Sequence, residues 1–363
     1  MMTWVAANDR ASRTRVTIAD VAREAGVNKG TVSRALRGSA GVGRTTRERI
    51  VQTADRLDYS ASHIATALAT GDSRTVGIVL PTLRSWYFSE VASGASEALT
   101  RAGFRVELIN LGFDSDYLDM ESTQFLELFA ELGGGRGRGA LLFAGTVSTE
   151  NRSENAGVAR VPAALVGMPV QSVPGIFIDH REGGRLVARH LLGLGHRRMA
   201  VLDGRTTGRT SVDVWNQRTD GFRDTVREAG LDVSDDLIIY AGDCQAEDGA
   251  RAMASLLASK APLPSAVFCH SDPLAFGALS ALRQRGIRCP RDISVAAFDD
   301  HPMSRYWGLT TVTQHAHEQG VRAAESLIDT MQQARSRASL SSWSPPAGDL
   351  TVQLIVRETT AAC

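Results

Sequence analysis

Apolar positions recur along this 363-residue chain in two different rhythms, and the rhythm changes near residue 75. Before that point the spacing is helical. Ile18, Val21, Ala22 and Ala25 share one face of a short segment, and Val32, Ala35 and Leu36 share one face of the next. Thr17 with Asp20 three residues on has the pattern of a capping box, and Gly26 offers that first helix a left-handed stop. A third helix is predicted over residues 46–57, opened by Thr45 with Glu48, with Ile50, Val51, Ala54 and Leu57 as its inward stripe. Beyond residue 75, short apolar runs alternate with helical stretches. Strands are expected at 75–80, 105–109 and 140–143, with helices over 88–102 and 118–132 between them. A second set follows, with strands at 175–178, 199–202, 237–240, 266–269 and 293–298 and helices in every gap. Strand–helix alternation of this kind predicts an α/β core, and two consecutive sets predict two doubly wound parallel-sheet lobes.

The two leading helices meet across a tight turn that contains Gly26. The second leaves Lys29, Gly30, Thr31, Ser33, Arg34 and Arg37 on its free face. That combination reads as a helix-turn-helix, the alternative on spacing alone being a plain helical hairpin with a solvated face. The residue string itself resembles the DNA-binding headpiece of the lactose/galactose repressor family, T-I-x-D-V-A-x-x-A-G-V-S-x-x-T-V-S-R-x-L. It matches at Thr17, Ile18, Asp20, Val21, Ala22, Ala25, Gly26, Val27, Thr31, Val32, Ser33, Arg34 and Leu36, and departs at Asn28, where the family has Ser.

The resemblance implies an organisation for the whole chain. A polar arm, 1–15, precedes a helix-turn-helix domain over 16–60. The segment 61–74 corresponds to the family's hinge, which is helical only on its operator, and Leu68 stands at the position that wedges into the minor groove. Ala61, Ser62 and Thr66 differ from the family's Pro, Asn and Arg there. The remainder, 75–363, is similar to periplasmic sugar-binding proteins, and serves as the effector-binding and dimerisation core. Lobe 1 is expected at about 75–174 and 302–335, lobe 2 at about 175–301 and 336–357, with crossovers near 174–180, 299–305 and 335–350. Further family-like runs are 190–198, 218–222, 292–300, 309–312 and 356–360.

Two groups of site residues follow from that resemblance. For DNA they are Thr17, Asn28, Lys29, Gly30, Thr31, Ser33, Arg34, Arg37 and Leu68. Arg34 has the fork to grip guanine or clamp a phosphate, whereas Thr31 and Ser33 suit phosphate oxygens. Gly30 has no side chain to read a base, which shifts specificity toward Lys29, Arg34 and the hinge. For an effector they are Trp86, Tyr87, Phe88, Arg218, Ser271, Asp272 and Asp299. Arg218 stands at the family's anchoring Arg, suited to adjacent hydroxyls or a carboxylate. Asp299 ends an expected strand, where such folds bind ligands. Asp272 is read first as a helix cap and second as a ligand contact. The three aromatics are candidates to stack on a sugar face, with core burial the alternative for Phe88. Thr82, Ser85 and Trp86 replace residues that the family carries in this loop.

Charge and composition add limits. The chain is neutral overall, but residues 1–74 hold 12 Lys and Arg against 7 Asp and Glu. A basic front on an acidic body suits a phosphate-contacting module joined to a ligand-binding core. Four scattered cysteines form no CxxC pair, which argues against a zinc module or disulfide framework and fits a reducing cytoplasm. No signal-peptide pattern or membrane-length apolar run is present. The Gly-rich run 133–139 lacks dinucleotide spacing and precedes a strand, while His315 and His317 find no third ligand nearby. No cofactor, metal or catalytic residue is therefore expected. The expectation is a cytoplasmic, homodimeric repressor of a pseudo-palindromic DNA operator, controlled by a small effector, with a sugar preferred. The alternative is a sugar-binding or sugar-modifying protein with an incidental helical N-terminus.

Overall fold

The computed structural model describes residues 16–36, 41–57, 59, 75–111, 139–143 (backbone only), 162–167, 175–204, 213–242, 244–259, 262–335 and 350–363. The arm 1–15, Arg37, the hinge with Leu68, the expected helix 118–132, the run 133–138 and the loop 336–349 lie outside these residues. The chain divides at residues 73 and 74 into two compact units.

Among the described residues the first unit holds three helices, α1 (Ile18–Glu24), α2 (Lys29–Leu36) and α3 (Arg44–Arg56). Their small core is Val21, Ala22, Ala25, Val32, Ala35, Ile50 and Ala54, with Ile18, Leu36 and Leu57 packed against it. The α1 start behaves as the sequence indicates: Asp20 Oδ2 accepts from the Thr17 amide at 3.0 Å and from its hydroxyl at 2.7 Å. Gly26 sits at φ +66°, the left-handed geometry that L side chains resist. Two details of α3 differ from expectation. The helix begins at Arg44 after Gly43, so Thr45 is inside it, and Glu48 pairs with Arg44 Nε at 3.0 Å rather than closing a cap. Val51 is exposed, and the buried stripe runs through Ile50, Thr53 and Ala54. Thr53 can occupy it because its hydroxyl donates to the Arg49 carbonyl one turn back, at 2.8 Å.

The second unit contains two sheets. The first has the order β2-β1-β3-β4-β5, built from β1 (Thr75–Leu80), β2 (Arg105–Asn110), β3 (Gly139–Phe143), β4 (Ala163–Val166) and β5 (Gly175–Ile176), all parallel. The second has the order β11-β10-β9-β8-β6-β7, from β6 (Met199–Asp203), β7 (Ile238–Tyr240), β8 (Ala266–Cys269), β9 (Ser294–Asp299), β10 (Thr310–Thr313) and β11 (Gln353–Ile355). Among the described strands only β11 runs antiparallel, at the edge beside β10. Strands β6, β8 and β9 are buried at every position, as parallel strands covered on both faces should be. The covering helices are α4 (Trp86–Arg101), α5 (His180–Gly193), α6 (Asp213–Glu228), α7 (Ala246–Ala258), α8 (Asp272–Gln284) and α9 (Ala316–Arg335). Among the described residues no helix is long and apolar enough to cross a membrane.

Sheet membership corrects the expected lobe limits. Gly175–Ile176 pairs with β4 and closes the first sheet, so the first crossover is the short stretch 177–179. Thr310–Thr313 lies beside β9 in the second sheet rather than opening a return to the first. The second crossover therefore falls at 314–315, not 299–305, and α9 then packs on α4, β3, β4 and β5. The left-handed His315, at φ +54°, marks that turn. Order along the chain suggested the other division, because strand pairing is a non-local fact that apolar runs do not encode.

Candidate functional site

The DNA-facing candidates lie on α2. Lys29, Gly30 and Arg34 are exposed, Thr31 and Ser33 are half-buried, and Val32 and Ala35 point into the core. Asn28 has a structural task within this surface. Its Oδ1 accepts from the Thr31 amide at 2.8 Å and the Thr31 hydroxyl at 2.9 Å, so it is the N-cap of α2. Arg56 of α3 reaches Glu24 of α1 at 3.0 Å, tying the outer helices together.

The effector candidates gather where strand C-termini of the second unit meet. The centre is Arg218 on α6, only 4% exposed. It is delivered there by unusually close helix packing. A Cβ on Gly184 would stand 2.2 Å from the Arg218 carbonyl oxygen, and one on Gly221 would stand 1.9 Å from the Arg181 carbonyl oxygen. Glycine at both positions lets α5 and α6 touch. The Arg218 Nε then donates to His180 Nδ1 at 3.2 Å, and Nη1 donates to the His270 carbonyl oxygen. The guanidinium carbon lies 3.7 Å from the Phe298 ring centre and 4.7 Å from that of Trp215. Asp299 Oδ1 is 4.0 Å from Nη1.

Asp299 ends β9 at φ +133°, and Asp300 and Cys244 nearby are also left-handed. Strained backbone of this kind collects at binding sites. The Asp299 carboxylate accepts from Gln314 Nε2 at 2.6 Å and from the Asp272 amide at 3.4 Å. Burial pushes its titration upward, while Arg218 pulls it back. Burial lowers the Arg218 titration in turn, and Asp299 opposes that shift.

The three aromatics open α4 rather than forming a loop. Trp86 meets His301 of the second lobe with ring centres 4.8 Å apart. Tyr87 donates to Gln319 Oε1 at 2.9 Å, and Gln319 Nε2 donates to the Gln314 carbonyl at 2.6 Å. Burial raises the Tyr87 phenol, with Arg218 and Asp299 acting on it in opposite directions. Phe88 packs against the core and the Tyr87 ring. The structure thus brings Trp86, Tyr87, Arg218 and Asp299 into one neighbourhood.

The cap expected of Asp272 is made instead by its neighbour Ser271. Ser271 is the N-cap of α8, accepting from the Leu274 amide at 3.4 Å. The fully buried Asp272 does not cap. Its Oδ2 accepts from the His301 amide at 2.7 Å and the Ser304 hydroxyl at 2.5 Å, and its Oδ1 from the Thr311 hydroxyl at 2.5 Å. It therefore fixes the segment 301–311 to the start of α8. Burial and the nearby Asp299 raise its titration.

Sequence reasoning missed a layer of polar residues behind Arg218. Thr219 Oγ1 donates to Asp203 Oδ2 at 3.1 Å and lies 3.0 Å from His270 Nε2, and the Trp215 ring stacks on His270 at 5.7 Å. The available signal was a polar residue closing each apolar run, as at Asp203 and His270. Gln314 carries a similar message, because its buried Oε1 finds no partner among the described residues.

Comparison with known proteins agrees with both halves of this description. Residues 17–62 match the model for bacterial regulatory proteins of the lacI family, and residues 188–360 match that for a periplasmic binding protein-like domain. The chain is 31% identical over 317 residues to the HTH-type transcriptional repressor PurR of Mannheimia succiniciproducens, spanning 86% of this chain and 91% of that one. It is 28% identical over 348 residues to PurR of Haemophilus influenzae (strain PittEE), spanning 94% and 98%. Among solved structures it resembles the Lac repressor dimer bound to operator and the anti-inducer ONPF, with TM-score 0.79, 26% identity and 96% and 100% of the two chains covered. The transcriptional regulator CelR–cellobiose complex gives a TM-score of 0.64 with 27% identity over 95% and 100%.

Proposed function

The chain belongs to the lacI family of bacterial regulatory proteins, and from that premise we propose a dimeric transcriptional repressor whose operator affinity is set by a small ligand, a sugar by preference, held between the core lobes. The observation that carries the ligand half is the buried Arg218–Asp299 pair at the strand ends. A forked donor beside a fixed acceptor matches the alternating donors and acceptors of adjacent sugar hydroxyls. Trp86 and Tyr87 supply apolar surface from the other lobe. Phe88, Ser271 and Asp272 hold these groups in place.

In this reading Lys29 and Arg34 approach base edges in the major groove, and Thr17, Thr31, Ser33 and Arg37 contact phosphates. Asn28 keeps α2 in register with the turn. Leu68 enters the minor groove. Two headpieces of a dimer bind the two halves of a pseudo-palindrome. Ligand changes the angle between lobes about the stretches 177–179 and 314–315, and operator affinity falls by differential binding to the two states.

The test is a mobility-shift titration on an operator fragment, with and without D-ribose and cellobiose. Steep loss of binding with salt is expected for the wild type, and Arg34→Ala should abolish preference for the operator over random DNA. Salt-insensitive, negligible binding to any duplex would sink the repressor reading. Operator binding that no ligand changes would sink only the allosteric part.

A further inference from the structure

Behind the effector pair, one contact has the form of a device. His180 and Arg218 are both buried, at 4% exposure each, and a neutral imidazole nitrogen accepts from the guanidinium Nε at 3.2 Å. His180 is the first residue of α5, immediately after the crossover 177–179 between the sheets. Asp179 pins that helix start, accepting from the Glu182 amide at 2.7 Å. The imidazole stacks on Phe298 at 5.9 Å, the same ring that Arg218 covers, so both partners are fixed by one aromatic plane.

We propose that His180 is the positioning residue of the ligand site, an uncharged acceptor at the inter-lobe crossover that aims the Arg218 guanidinium at Asp299. The choice of an uncharged acceptor has a chemical reason. With Nε on His180 and one Nη1 proton on the His270 carbonyl, two of the five guanidinium donors are committed to protein. Neither acceptor carries charge, so the cation remains available to Asp299 and to a ligand. A carboxylate at residue 180 would instead neutralise it. Among the described residues the charged and titratable groups acting on His180 are Arg218 on α6 and His270 just after β8, with Asp299 beyond Arg218 at the end of β9. Arg218 and His270 both oppose a proton on His180, as burial does first. Because His180 is joined to the crossover, a change of lobe angle would move the acceptor and with it the aim of Arg218. The consequence for ligand rests on the reading of Arg218 and Asp299 as the effector anchor, but the positioning itself does not.

The experiment uses the full-length chain and reads Arg218 directly, by NMR of arginine Nε–Hε groups and histidine ring nitrogens. The expected wild-type pattern is an Hε protected from solvent exchange and a His180 Nδ1 that is unprotonated at neutral pH. His180→Asn and His180→Gln, which keep a neutral acceptor, should retain the protected Hε. His180→Leu, close in volume without an acceptor, should speed Hε exchange at least tenfold. Binding of D-ribose and cellobiose is measured by calorimetry on the same proteins. For a sugar that binds the wild type, affinity should fall about tenfold or more in His180→Leu and less than threefold in His180→Asn or His180→Gln, whichever places its oxygen nearer Nε. Unchanged Hε protection in His180→Leu, or loss in all three variants alike, overturns the proposal. If neither sugar binds while Hε protection follows the acceptor, the positioning role stands and the sugar reading is what failed.

Discussion

Gln314 donates its side-chain amide to the Asp299 carboxylate at 2.6 Å, across the point where the chain leaves the second sheet for the first lobe. The Gln314 backbone oxygen holds Gln319 of α9, and Gln319 holds Tyr87 of α4. Asp299 in one lobe and Tyr87 in the other are thus linked by two glutamines, one of them on the crossover. A ligand that engages Asp299 pulls on this link. Gln314→Leu should therefore uncouple the sites more than it weakens either. We expect operator affinity without ligand within about threefold of wild type, and ligand-induced release reduced by about 1–2 kcal/mol of coupling. Paired operator titrations with and without saturating ligand give that number. Undiminished coupling would remove the link from the mechanism.

Asn28 supports α2 through its hold on Thr31. Replacement by Ala should cost about 1 kcal/mol of local stability, seen as roughly fivefold faster hydrogen exchange at the Thr31 amide. Asn28→Ser restores an N-cap oxygen and should recover most of the protection. If instead the Ala variant keeps its exchange rate but changes which operator bases are preferred, Asn28 reads DNA directly.

These two residues also mark what the sequence could and could not disclose. Local periodicity carried far: β1 and β8 end where the apolar runs end, and α2 buries the face that its spacing selects. Asn28 was legible as a departure from a family string, but its capping role needed the geometry. The lobe division at 314–315 was misplaced because strand pairing couples residues far apart in the chain. Arg218 is singled out by resemblance alone, and Asp299 by resemblance together with its place at a strand end. His180, His270 and Gln314 had no periodic signature, since a buried polar residue is recognised by its partners and those partners come from separate elements.

His180 predicts an acid response of definite sign. Burial first, and then Arg218, hold the His180 titration well below 6.5. The unfolded chain takes up a proton at His180 near 6.5 that the folded chain refuses, so the His180 contribution to stability is intact above that pH and declines as pH falls below it, while the raised Asp272 and Asp299 carboxyls act in the opposite direction. The decline continues until the folded-state value is reached. His301, also lowered by burial, acts in the same direction as His180. Thermal midpoints of the wild type and His180→Asn from pH 8 to pH 5 test the sign: the wild type should lose more over that range. Parallel curves would show that His180 is not held neutral by the fold.

The Asp272 latch makes the last prediction, and it separates two kinds of substitution. Three donors converge on this carboxylate: the His301 amide and the Ser304 and Thr311 hydroxyls. Asp272→Ala leaves them facing apolar surroundings, a loss of about 3 kcal/mol when a buried set of this kind loses its acceptor. Asp272→Asn keeps one acceptor oxygen and removes the cost of a buried charge, but its amide nitrogen faces a donor that must turn away. The hydroxyls of Ser304 and Thr311 can rotate, whereas the His301 amide cannot. Asn should therefore place its oxygen toward His301, and it should cost less than half of the Ala penalty. Urea unfolding of the three proteins at neutral pH measures the order, wild type above Asn above Ala. Because the latch holds His301 against Trp86 of the other lobe, Ala should also free the Trp86 ring. A stability loss without any change in Trp86 fluorescence would confine the latch to the second lobe.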